Sequence, residues 1–390
     1  MVRSHLSRDV DLSALRRWPA RQGQQAYDAA DLLLLDTAAA WLNHGHTARH
    51  TVVLDDRWGA LTLALTGGGA PKVRSGQDSR SAEHALRRNS RALGLAAPKT
   101  EQIGPDLLTG ARLVLLPIPR ALDALADWAW LTAEHAAEDI VLLAGGRDKH
   151  MTPAMNQVLG EFFSDVVPGR GRSKARVLTA RAPRRGRAAP GPRFAEHDTG
   201  DLRLKTPLIL WSTGAVYGGT KIDPGTRFLL QVLEDSPEFN EASSSAERAV
   251  DLGCGNGTIS TVLARRDPKL RLFATDQSAS AVASTRLTAE ANGIAAQVEV
   301  VRQDALEQLP DSSESLILLN PPFHQGNAVD SSIAHRLITE AGRVLSPGGR
   351  LYCVWNSHLQ HRRVLERSAG PTAQLARNRK FIVTTSRKPH

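Results

Sequence analysis

A short apolar segment that runs directly into a glycine-rich turn is the feature that most constrains the fold of this chain. Residues 249–252, Ala-Val-Asp-Leu, are followed at once by Gly253-Cys254-Gly255-Asn256-Gly257, and helical spacing resumes at Thr258. Glycines at alternate positions let a backbone turn tightly and approach a ligand closely. This order predicts a strand, a turn and a helix, with a nucleotide-like ligand at the carboxyl end of the strand.

The C-terminal half continues this alternation of strands and helices. The further predicted strands are Leu270–Thr275, Val298–Arg302, Ser315–Leu319, Leu351–Trp355 and Phe381–Thr385. The predicted helices are Thr258–Arg266, Ala279–Asn292 and Ile333–Val344, the last one closed by Pro347-Gly348-Gly349. Strands separated by helices predict a mostly parallel α/β sheet, whose ligands bind outside the carboxyl ends of its strands.

The N-terminal half shows a weaker version of the same layout. Its predicted strands are Thr51–Leu54, Arg112–Leu116 and Ile140–Leu143. A shift of about 200 residues brings Gly59 near Gly257 and Pro119 near Pro322, which indicates an internal duplication. The first copy lacks the glycine loop and an Asn before its prolines, so we interpret it as a degenerate repeat without a ligand. The alternative is two unrelated α/β domains. We predict domains at 1–195 and 196–390.

Composition and charge exclude several classes of protein. The 390 residues carry 49 Lys and Arg against 40 Asp and Glu, and this net charge of +9 favours an acidic partner such as nucleic acid. Two cysteines exclude a disulfide scaffold and fit a reducing compartment. The sequence contains neither an apolar run long enough for a transmembrane helix nor a secretory h-region. We expect a cytoplasmic protein, without a membrane partner.

The most basic stretch lies between the two predicted domains. Residues 170–193 contain nine Lys and Arg and no acidic residue. Blocks of like charge are commonly solvated linkers, but this one could equally be an arm that contacts the phosphates of a nucleic acid. Both interpretations stay open, and Ala175–Thr179 could be the last strand of the first domain. Elsewhere, no spacing of His and Cys suggests a zinc site, so we expect no metal.

The glycine turn does not match a dinucleotide-binding motif. Asp251 precedes it within the turn motif, and Thr258 stands where G-x-G-x-x-G/A would be completed. The order hydrophobic-Asp-hydrophobic-Gly-Cys-Gly-x-Gly resembles motif I of class I S-adenosylmethionine-dependent methyltransferases. The resemblance implies that the loop passes the methionine part of the cofactor and that Asp251 interacts with its amino group. The predicted cofactor-binding residues of this loop are Asp251, Gly253, Cys254, Gly255 and Gly257.

Two further carboxylates follow the next strands. Asp276 ends the second strand and can accept both hydroxyl groups of a ribose, although it could instead cap a helix. Asp304 ends the third strand, where the resemblance implies an acid that holds the adenine amino group. The alternative for Asp304 is a cap of residues 305–308. Their neighbours Gln277 and Ala305 are included in the predicted cofactor site.

Asn320-Pro321-Pro322-Phe323 at the end of the fourth strand is the most specific motif. The side-chain oxygen of Asn320 and the carbonyl of Pro321 can accept both N–H groups of a planar exocyclic amine, which turns its lone pair toward a methyl donor. Phe323 can stack on the ring that carries the amine, a contact worth about 1–3 kcal/mol. Asn320, Pro321, Pro322 and Phe323 are therefore the predicted catalytic residues, and they act mainly by positioning. Asn320 is also assigned to the cofactor site.

Longer segments extend the resemblance to one family. Asn320–Gly326, Asn-Pro-Pro-Phe-His-Gln-Gly, resembles the signature of the RlmG/RsmC group of ribosomal RNA guanine-N2 methyltransferases. Val216–Arg227 is similar to the stretch that caps the cofactor pocket in that group, although Tyr217, Gly218 and Lys221 replace its Phe, Ser and Gly. Asn378–Val383 is closer to the large-subunit RlmG branch. The resemblance implies two tandem Rossmann-like methyltransferase domains, of which only the second binds S-adenosylmethionine.

The function that we predict is methyl transfer from S-adenosylmethionine to N2 of a guanine in ribosomal RNA, in the 23S species. The alternatives are a 16S rRNA guanine-N2 methyltransferase, a methyltransferase of a protein glutamine amide, and a non-catalytic RNA-binding assembly factor. The N-terminal domain is expected to bind RNA or to rigidify the second domain, and the chain to act as a monomer. His324 could accept the proton of the amine or form part of the pocket wall.

Overall fold

A computed structural model describes residues 10–19, 24–43, 50–69, 73–322 and 331–390. The chain divides into two compact units, Met1–Gly191 and Pro192–His390. Each unit contains one seven-stranded sheet with helices packed against it. The predicted α/β class with two tandem Rossmann-like domains is confirmed.

The first unit alternates strands and helices as far as its fifth strand. Its strands are β1 (Thr51–Leu54), β2 (Arg74–Gly76), β3 (Thr100–Glu101), β4 (Leu113–Pro117), β5 (Val141–Arg147), β6 (Phe163–Pro168) and β7 (Ala175–Pro183). Its helices are α1 (Ala29–Asn43), α2 (Ala60–Gly67), α3 (Arg80–Ala92), α4 (Pro105–Leu108), α5 (Leu122–His135) and α6 (Pro153–Phe162). Short 3-10 turns cover Leu12–Ala14 and Asp148–His150.

The second unit begins with a two-stranded hairpin and then repeats the pattern. Its strands are β8 (Arg193–His197), β9 (Leu208–Ser212), β10 (Arg248–Leu252), β11 (Arg271–Asp276), β12 (Val298–Arg302), β13 (Glu314–Leu319), β14 (Leu345–Asn356), β15 (Thr372–Arg377) and β16 (Phe381–Arg387). Its helices are α7 (Pro224–Glu234), α8 (Pro237–Ser245), α9 (Thr258–Arg266), α10 (Ala279–Ala291), α11 (Ser331–Val344) and α12 (Arg362–Ala369). A 3-10 turn covers Gly200–Leu202.

The two large sheets have the same strand order. The first runs β3-β2-β1-β4-β5-β7-β6 and the second runs β12-β11-β10-β13-β14-β16-β15. In each sheet the first five strands are parallel, and the last two pair in antiparallel fashion. This order is the duplicated architecture that the shifted sequence pattern predicted.

Both faces of the second large sheet are buried. Leu316 and Leu318 of β13 enter a cluster with α7 and α9, and Ile317 and Leu319 enter the opposite cluster with α11 and α12. A strand that is covered on both sides needs apolar residues at successive positions, which explains the continuous apolar run of β13. The polar residues of this half are therefore concentrated where its strands end.

Two local expectations differ from the structure. Pro347-Gly348-Gly349 does not close α11, because β14 begins at Leu345 directly after that helix. Gly348 instead has φ of +79°, and its N–H donates to the carbonyl of Lys388 at 2.9 Å, so the segment is an irregular part of the strand. Residues 305–308 form turns and no helix. In the basic segment 170–193, the strand considered at Ala175–Thr179 is present within β7, so the segment is not simply a linker.

Candidate cofactor and amine site

The loop after β10 turns on three glycines. Gly253, Gly255 and Gly257 have φ of +82°, +57° and +82°, a left-handed conformation that costs other residues about 1–2 kcal/mol. A Cβ on Gly253 or Gly255 would meet no atom within 4 Å, whereas a Cβ on Gly257 would lie 3.1 Å from Cα of Thr285. The first two glycines therefore leave open space for a ligand, and the third lets α9 begin close to α10.

Asp251 is fully buried at the end of β10. Its Oδ2 accepts the N–H of Ser260 at 3.1 Å and the hydroxyl of Ser260 at 2.6 Å, while the buried Oδ1 has no hydrogen-bond partner in the described ranges of the chain. Burial raises the pKa of Asp251 to about 6, and the charge of Asp276 acts in the same direction. A ligand that brings a cationic group to Oδ1 would satisfy this oxygen and favour the carboxylate.

Cys254 forms part of the inner wall of the loop. Its N–H donates to the carbonyl of Thr275 at 3.0 Å, and its sulfur accepts a hydrogen bond from Thr285 Oγ1 at 3.3 Å. Burial, together with the charges of Asp276 and Asp251, raises the pKa of this thiol well above its usual value. Cys254 is therefore a neutral packing residue rather than a nucleophile.

Asp276 fastens the glycine loop to the end of β11. Its Oδ2 accepts the N–H of Gly255 at 3.2 Å, and its Oδ1 accepts the N–H of Ser278 at 2.9 Å. Ser278, not Asp276, is the N-cap of α10. Asp276 and Gln277 are half-buried, and carboxylate oxygens can each accept further hydrogen bonds. This position suits a carboxylate that receives hydroxyl groups of a ligand.

The end of β12 joins the same edge of the sheet. The N–H of Gln303 donates to the carbonyl of Asp276 at 3.0 Å. The buried carboxylate of Asp304 pairs with the guanidinium of Arg336 in α11, with Nη1 at 2.8 Å from Oδ2. Ala305 is buried and has φ of +56°. The sequence pattern did not reveal Arg336, because only the packing of α11 brings it to Asp304.

Asn320, at the end of β13, is held by a second polar cluster. Its Nδ2 donates to Oδ2 of Asp223 at 2.9 Å and to Oγ1 of Thr226 at 2.8 Å. Oδ2 of Asp223 also accepts the N–H of Thr226 at 2.9 Å and so caps α7. A carboxylate only accepts hydrogen bonds, so the NH2 end of the Asn320 amide must face Asp223. Oδ1 of Asn320 is consequently directed elsewhere, and this buried oxygen has no hydrogen-bond partner among the residues that the structure describes.

The segment before α7 connects this cluster to the glycine loop. Nδ2 of Asn256 donates to the carbonyls of Gly219 and Lys221 at 3.0 and 2.9 Å. Tyr217 is 70% exposed. The predicted capping stretch 216–227 is thus fixed at one end by the loop after β10 and at the other by Asn320. The sequence pattern indicated this stretch without the roles of Asp223 and Asn256, although Asp-Pro-x-Thr is a helix-start signature.

The remaining motif residues lie at the edge of the described structure. Pro321 is buried and Pro322 is exposed. Phe323 and His324 fall outside the described residues, so their predicted roles stay predictions. Among the residues that the structure describes, no group of three or more His, Cys, Asp or Glu could hold a metal ion. No helix in this part of the chain has the length and apolar character needed to cross a membrane.

The first unit presents different residues at the equivalent positions. The two units can be aligned through the strand registers of β1 and β10 and through the left-handed Gly59 and Gly257. In this alignment the residues equivalent to Gly253, Gly255, Asp276 and Asn320 are Asp55, Arg57, Gln77 and Pro117, respectively. Gln77 is fully buried, and its Nε2 donates to the carbonyl of Asp56 at 3.3 Å. Side chains therefore replace the open glycine loop, and Pro117 supplies no amide.

The basic segment 170–193 is partly neutralised within the first unit. Arg172, Arg176 and Arg181 form ion pairs with Asp36, Asp148 and Asp165. Arg185 donates to the carbonyls of Glu134 and Ala136 at the end of α5. Four exposed cations have no acidic partner among the described residues, and these are Arg170, Lys174, Arg184 and Arg187. Only these four are suited to bind phosphate without breaking an ion pair or hydrogen bond.

The open site fits the cofactor that the motif implies. The loop that follows Asp251 has open space at Gly253 and Gly255. Among the described residues, neither the buried Oδ1 of Asp251 nor the buried Oδ1 of Asn320 has a hydrogen-bond partner. Such unsatisfied groups are costly unless a ligand pairs with them. The arrangement can hold a cationic, hydroxyl-bearing ligand beside an amine that donates hydrogen bonds.

Comparisons with family models divide the chain as its two units do. Residues 4–184 match the RLMG N-terminal domain, and residues 207–385 match the methyltransferase small domain. Among the curated relatives, the ribosomal RNA large subunit methyltransferase G of Alcanivorax borkumensis is 32% identical over 96% of this chain and 95% of its own length. The protein of the same name from Streptomyces coelicolor is 33% identical over 95% and 96%.

A solved structure shares the fold across both units. The T. thermophilus 16S rRNA N2 G methyltransferase RsmC, in complex with AdoMet and guanosine, matches with a TM-score of 0.74. The match covers 94% of each chain at 21% identity. At this identity the likeness concerns the tandem α/β fold.

Proposed function

The chain belongs to the ribosomal RNA large subunit methyltransferase G family, and on this premise we propose that it methylates N2 of a guanine in 23S ribosomal RNA with S-adenosylmethionine as methyl donor. The relatives carry the large-subunit substrate in their name, and the related RsmC structure is of an N2 guanine methyltransferase bound to AdoMet and guanosine. Such a substrate implies a cytoplasmic protein with ribosomal RNA as its partner.

The observation that carries the proposal is the orientation of Asn320. Asp223 and Thr226 hold the other end of the amide, and within the described part of the chain its buried Oδ1 has no hydrogen-bond partner. A guanine N2 amine has two N–H groups, and Asn320 Oδ1 with the Pro321 carbonyl supplies two acceptors in succession. An amine held in this way presents its lone pair to a methyl donor, so the chain catalyses mainly by orientation.

The acidic residues lie along the same edge of the sheet as Asn320, and this position supports their role in binding the cofactor. When bound, S-adenosylmethionine supplies an electrophilic methyl group on its sulfonium sulfur. Asp251 would hold the cationic amino group, Asp276 the ribose hydroxyls and Asp304 the adenine amino group. Although Asp304 is paired with Arg336, each carboxylate oxygen can accept a second hydrogen bond. Gly253 and Gly255, in the loop that follows Asp251, leave open space for the ligand.

We assign different tasks to the two domains, residues 1–195 and 196–390. The second carries the open glycine loop and Asn320, so it performs catalysis. The first has Arg57 and Pro117 at the corresponding positions and four unpaired cations near its end, so it contributes RNA binding. A target guanine must leave its stack to reach Asn320, as other enzymes that modify bases require.

Methyl transfer to purified ribosomal RNA tests this function. The protein is incubated with labelled S-adenosylmethionine and either 23S or 16S rRNA, and the RNA is digested to nucleosides for mass spectrometry. We expect label in N2-methylguanosine of 23S rRNA, and one such modification to be absent from a deletion strain. Label confined to 16S rRNA, to another base or to a protein glutamine would refute the proposed substrate.

A further inference from the structure

A cleft of about 400 Å³ lies beside α12 in the second unit. Strands β14, β15 and β16 form its floor, and α12 with the preceding loop forms one wall. Its lining combines apolar side chains, amides, hydroxyls and two guanidinium groups, from Trp355, Leu359, Gln360, Arg362, Arg363, Glu366, Thr372, Gln374, Ile382 and Thr384. Sites for small ligands commonly have volumes of about 300–1,000 Å³ and this mixed lining.

The cleft begins one strand away from the residue that would hold the target amine, at Trp355 of β14, and extends across the next two strands, β16 and β15. Leu319 of β13 pairs with Cys353 of β14 in parallel register. Pro321 is two positions after Leu319, and Trp355, which lines the cleft, is two positions after Cys353. Pro321 and Trp355 therefore follow the paired residues at the same distance along the chain. Neighbouring strands are about 4.8 Å apart, so the Trp355 end of the cleft lies at the same carboxyl-end edge of the sheet as the amine site.

The charged groups of the cleft leave one cation available. Arg362 donates through Nε to Glu366 at 2.8 Å and through Nη2 to the carbonyl of Thr372 at 3.2 Å, so it neutralises that carboxylate and ties α12 to β15. Arg363 is exposed, and the described residues provide no acidic partner for it. A guanidinium in this condition suits a phosphate.

The uncharged groups suit a nucleobase. Leu359 and Ile382 offer an apolar surface, and the exposed amides of Gln360 and Gln374 each carry a donor and an acceptor. Amides of this kind can pair with the edge of a base. Sequence-specific RNA recognition uses unstacked bases that present their edges in this manner.

We propose that this cleft holds a nucleotide of the substrate RNA that neighbours the target guanine. The inference rests on the proposed function, because extrusion of the guanine toward Asn320 also unstacks the nucleotides beside it. The base lies on Leu359 and Ile382, the glutamine amides read its edge, and Arg363 contacts its phosphate. The cleft therefore contributes to the choice of target by reading the adjacent nucleotide.

Photo-crosslinking locates the neighbouring nucleotide directly. An RNA fragment that contains the target guanine carries 4-thiouridine at the 5′ or the 3′ neighbouring position, and the crosslinked peptides of the full chain are mapped by mass spectrometry. We expect crosslinks in residues 355–363 or 372–384 from one of the two positions. Crosslinks from both positions exclusively outside these segments, with wild-type methyl transfer intact, would overturn the cleft proposal alone. A wild-type protein that does not methylate the RNA would instead contradict the proposed function.

Two variants measure the contribution of the cleft. Arg363→Ala and Gln374→Ala remove exposed side chains, and each is expected to raise the apparent RNA Kd roughly tenfold with little change in cofactor affinity. Arg387→Ala is the matched control. Arg387 is an exposed arginine of β16 that pairs with Arg350 of β14, far from the carboxyl end of β14 where Trp355 lies. An equal increase in RNA Kd for the Arg363 and Arg387 variants would show that Arg363 contributes only nonspecific charge, and it would refute the proposal.

Discussion

Nδ2 of Asn320 donates a hydrogen bond to Oδ2 of Asp223 at 2.9 Å, across 97 positions of the sequence. This hydrogen bond determines which end of the amide is available to a substrate, because a carboxylate cannot donate to the amide oxygen. Asp223 therefore acts as a positioning residue for Asn320, although it need not touch the substrate.

Substitution of Asp223 tests this positioning role. Asp223→Ala should lower the single-turnover rate of methyl transfer about tenfold to a hundredfold, since a hydrogen bond to a charged group is worth about 1.5–3 kcal/mol. Asp223→Asn should stay within a few-fold of wild type, because its amide oxygen can still accept from Nδ2. Removal of the α7 cap costs Asp223→Ala about 1 kcal/mol of stability. Ser236→Ala, which removes the cap of α8, is the control for that cost; an equal rate defect in Ser236→Ala would contradict the positioning role.

Two glycines of one loop should respond differently to alanine. Gly255→Ala and Gly257→Ala both place a side chain at positive φ, with a shared cost of about 1–2 kcal/mol. Gly257→Ala also brings Cβ within 3.1 Å of Cα in Thr285, so it should be the less stable variant in thermal unfolding. Gly255→Ala places a methyl group in the open space of the glycine loop and should weaken S-adenosylmethionine binding more, as measured by calorimetry. The reverse order in both assays would show that the open space is not the cofactor site.

Burial of Asp251 should make stability depend on pH. Because its pKa is raised to about 6 in the folded chain, the folded state binds the proton more tightly than the unfolded state does. Its contribution to stability is present below about pH 4 and is lost as the pH rises through 6. We expect the free energy of unfolding of wild type to fall relative to Asp251→Asn across this window, by on the order of 2–3 kcal/mol. A parallel pH dependence of the two proteins would contradict the assignment.

Cofactor binding should release this proton. A cationic amino group beside Asp251 favours the carboxylate, so binding at pH 6 should release a fraction of a proton, and binding at pH 8 almost none. Calorimetry in two buffers of different ionisation enthalpy measures this release. Asp251→Asn should abolish it, and a wild-type release that persists in Asp251→Asn would assign the proton to another group.

Four cations of the basic segment should dominate its binding to RNA. Arg170, Lys174, Arg184 and Arg187 have no acidic partner among the described residues, unlike Arg172, Arg176 and Arg181. Neutralising the first set should lower the magnitude of the slope of log K against log salt by roughly 0.7–0.9 for each phosphate that the protein no longer neutralises. Neutralising the paired set serves as the control. An unchanged slope for the first set would show that the segment has only a structural role.

The sequence predicted the elements whose patterns are local. Glycine spacing at 253–257 and apolar runs such as Ser315–Leu319 specify a strand, a turn and a helix within a few residues of each other. Contacts between distant segments were not predictable in this way. Asp223 reaches Asn320 and Arg336 reaches Asp304 only because α7 and α11 pack against the sheet.

Turn residues were the least reliable guide. Pro347-Gly348-Gly349 predicted a turn that ends α11, yet β14 continues through this segment. Gly348 adopts a positive φ, and its N–H donates a hydrogen bond to the carbonyl of Lys388. The charge of residues 170–193 likewise did not show which of its cations are available to a ligand. Three of the arginines form ion pairs, with Asp36, Asp148 and Asp165. Neither outcome depends on local sequence alone, since each partner lies on a different element.

The central claim is that Asn320 orients a guanine amine for methyl transfer. Its most direct test is the single-turnover rate of label transfer from S-adenosylmethionine to 23S rRNA by wild type and Asn320→Ala, with the nucleoside product identified. We predict N2-methylguanosine as the product and a rate about a hundredfold to a thousandfold lower in Asn320→Ala, by analogy with removal of one preorganised hydrogen-bonding group, with cofactor affinity nearly unchanged. A near-normal rate in Asn320→Ala, or a product other than N2-methylguanosine, would contradict this role of Asn320.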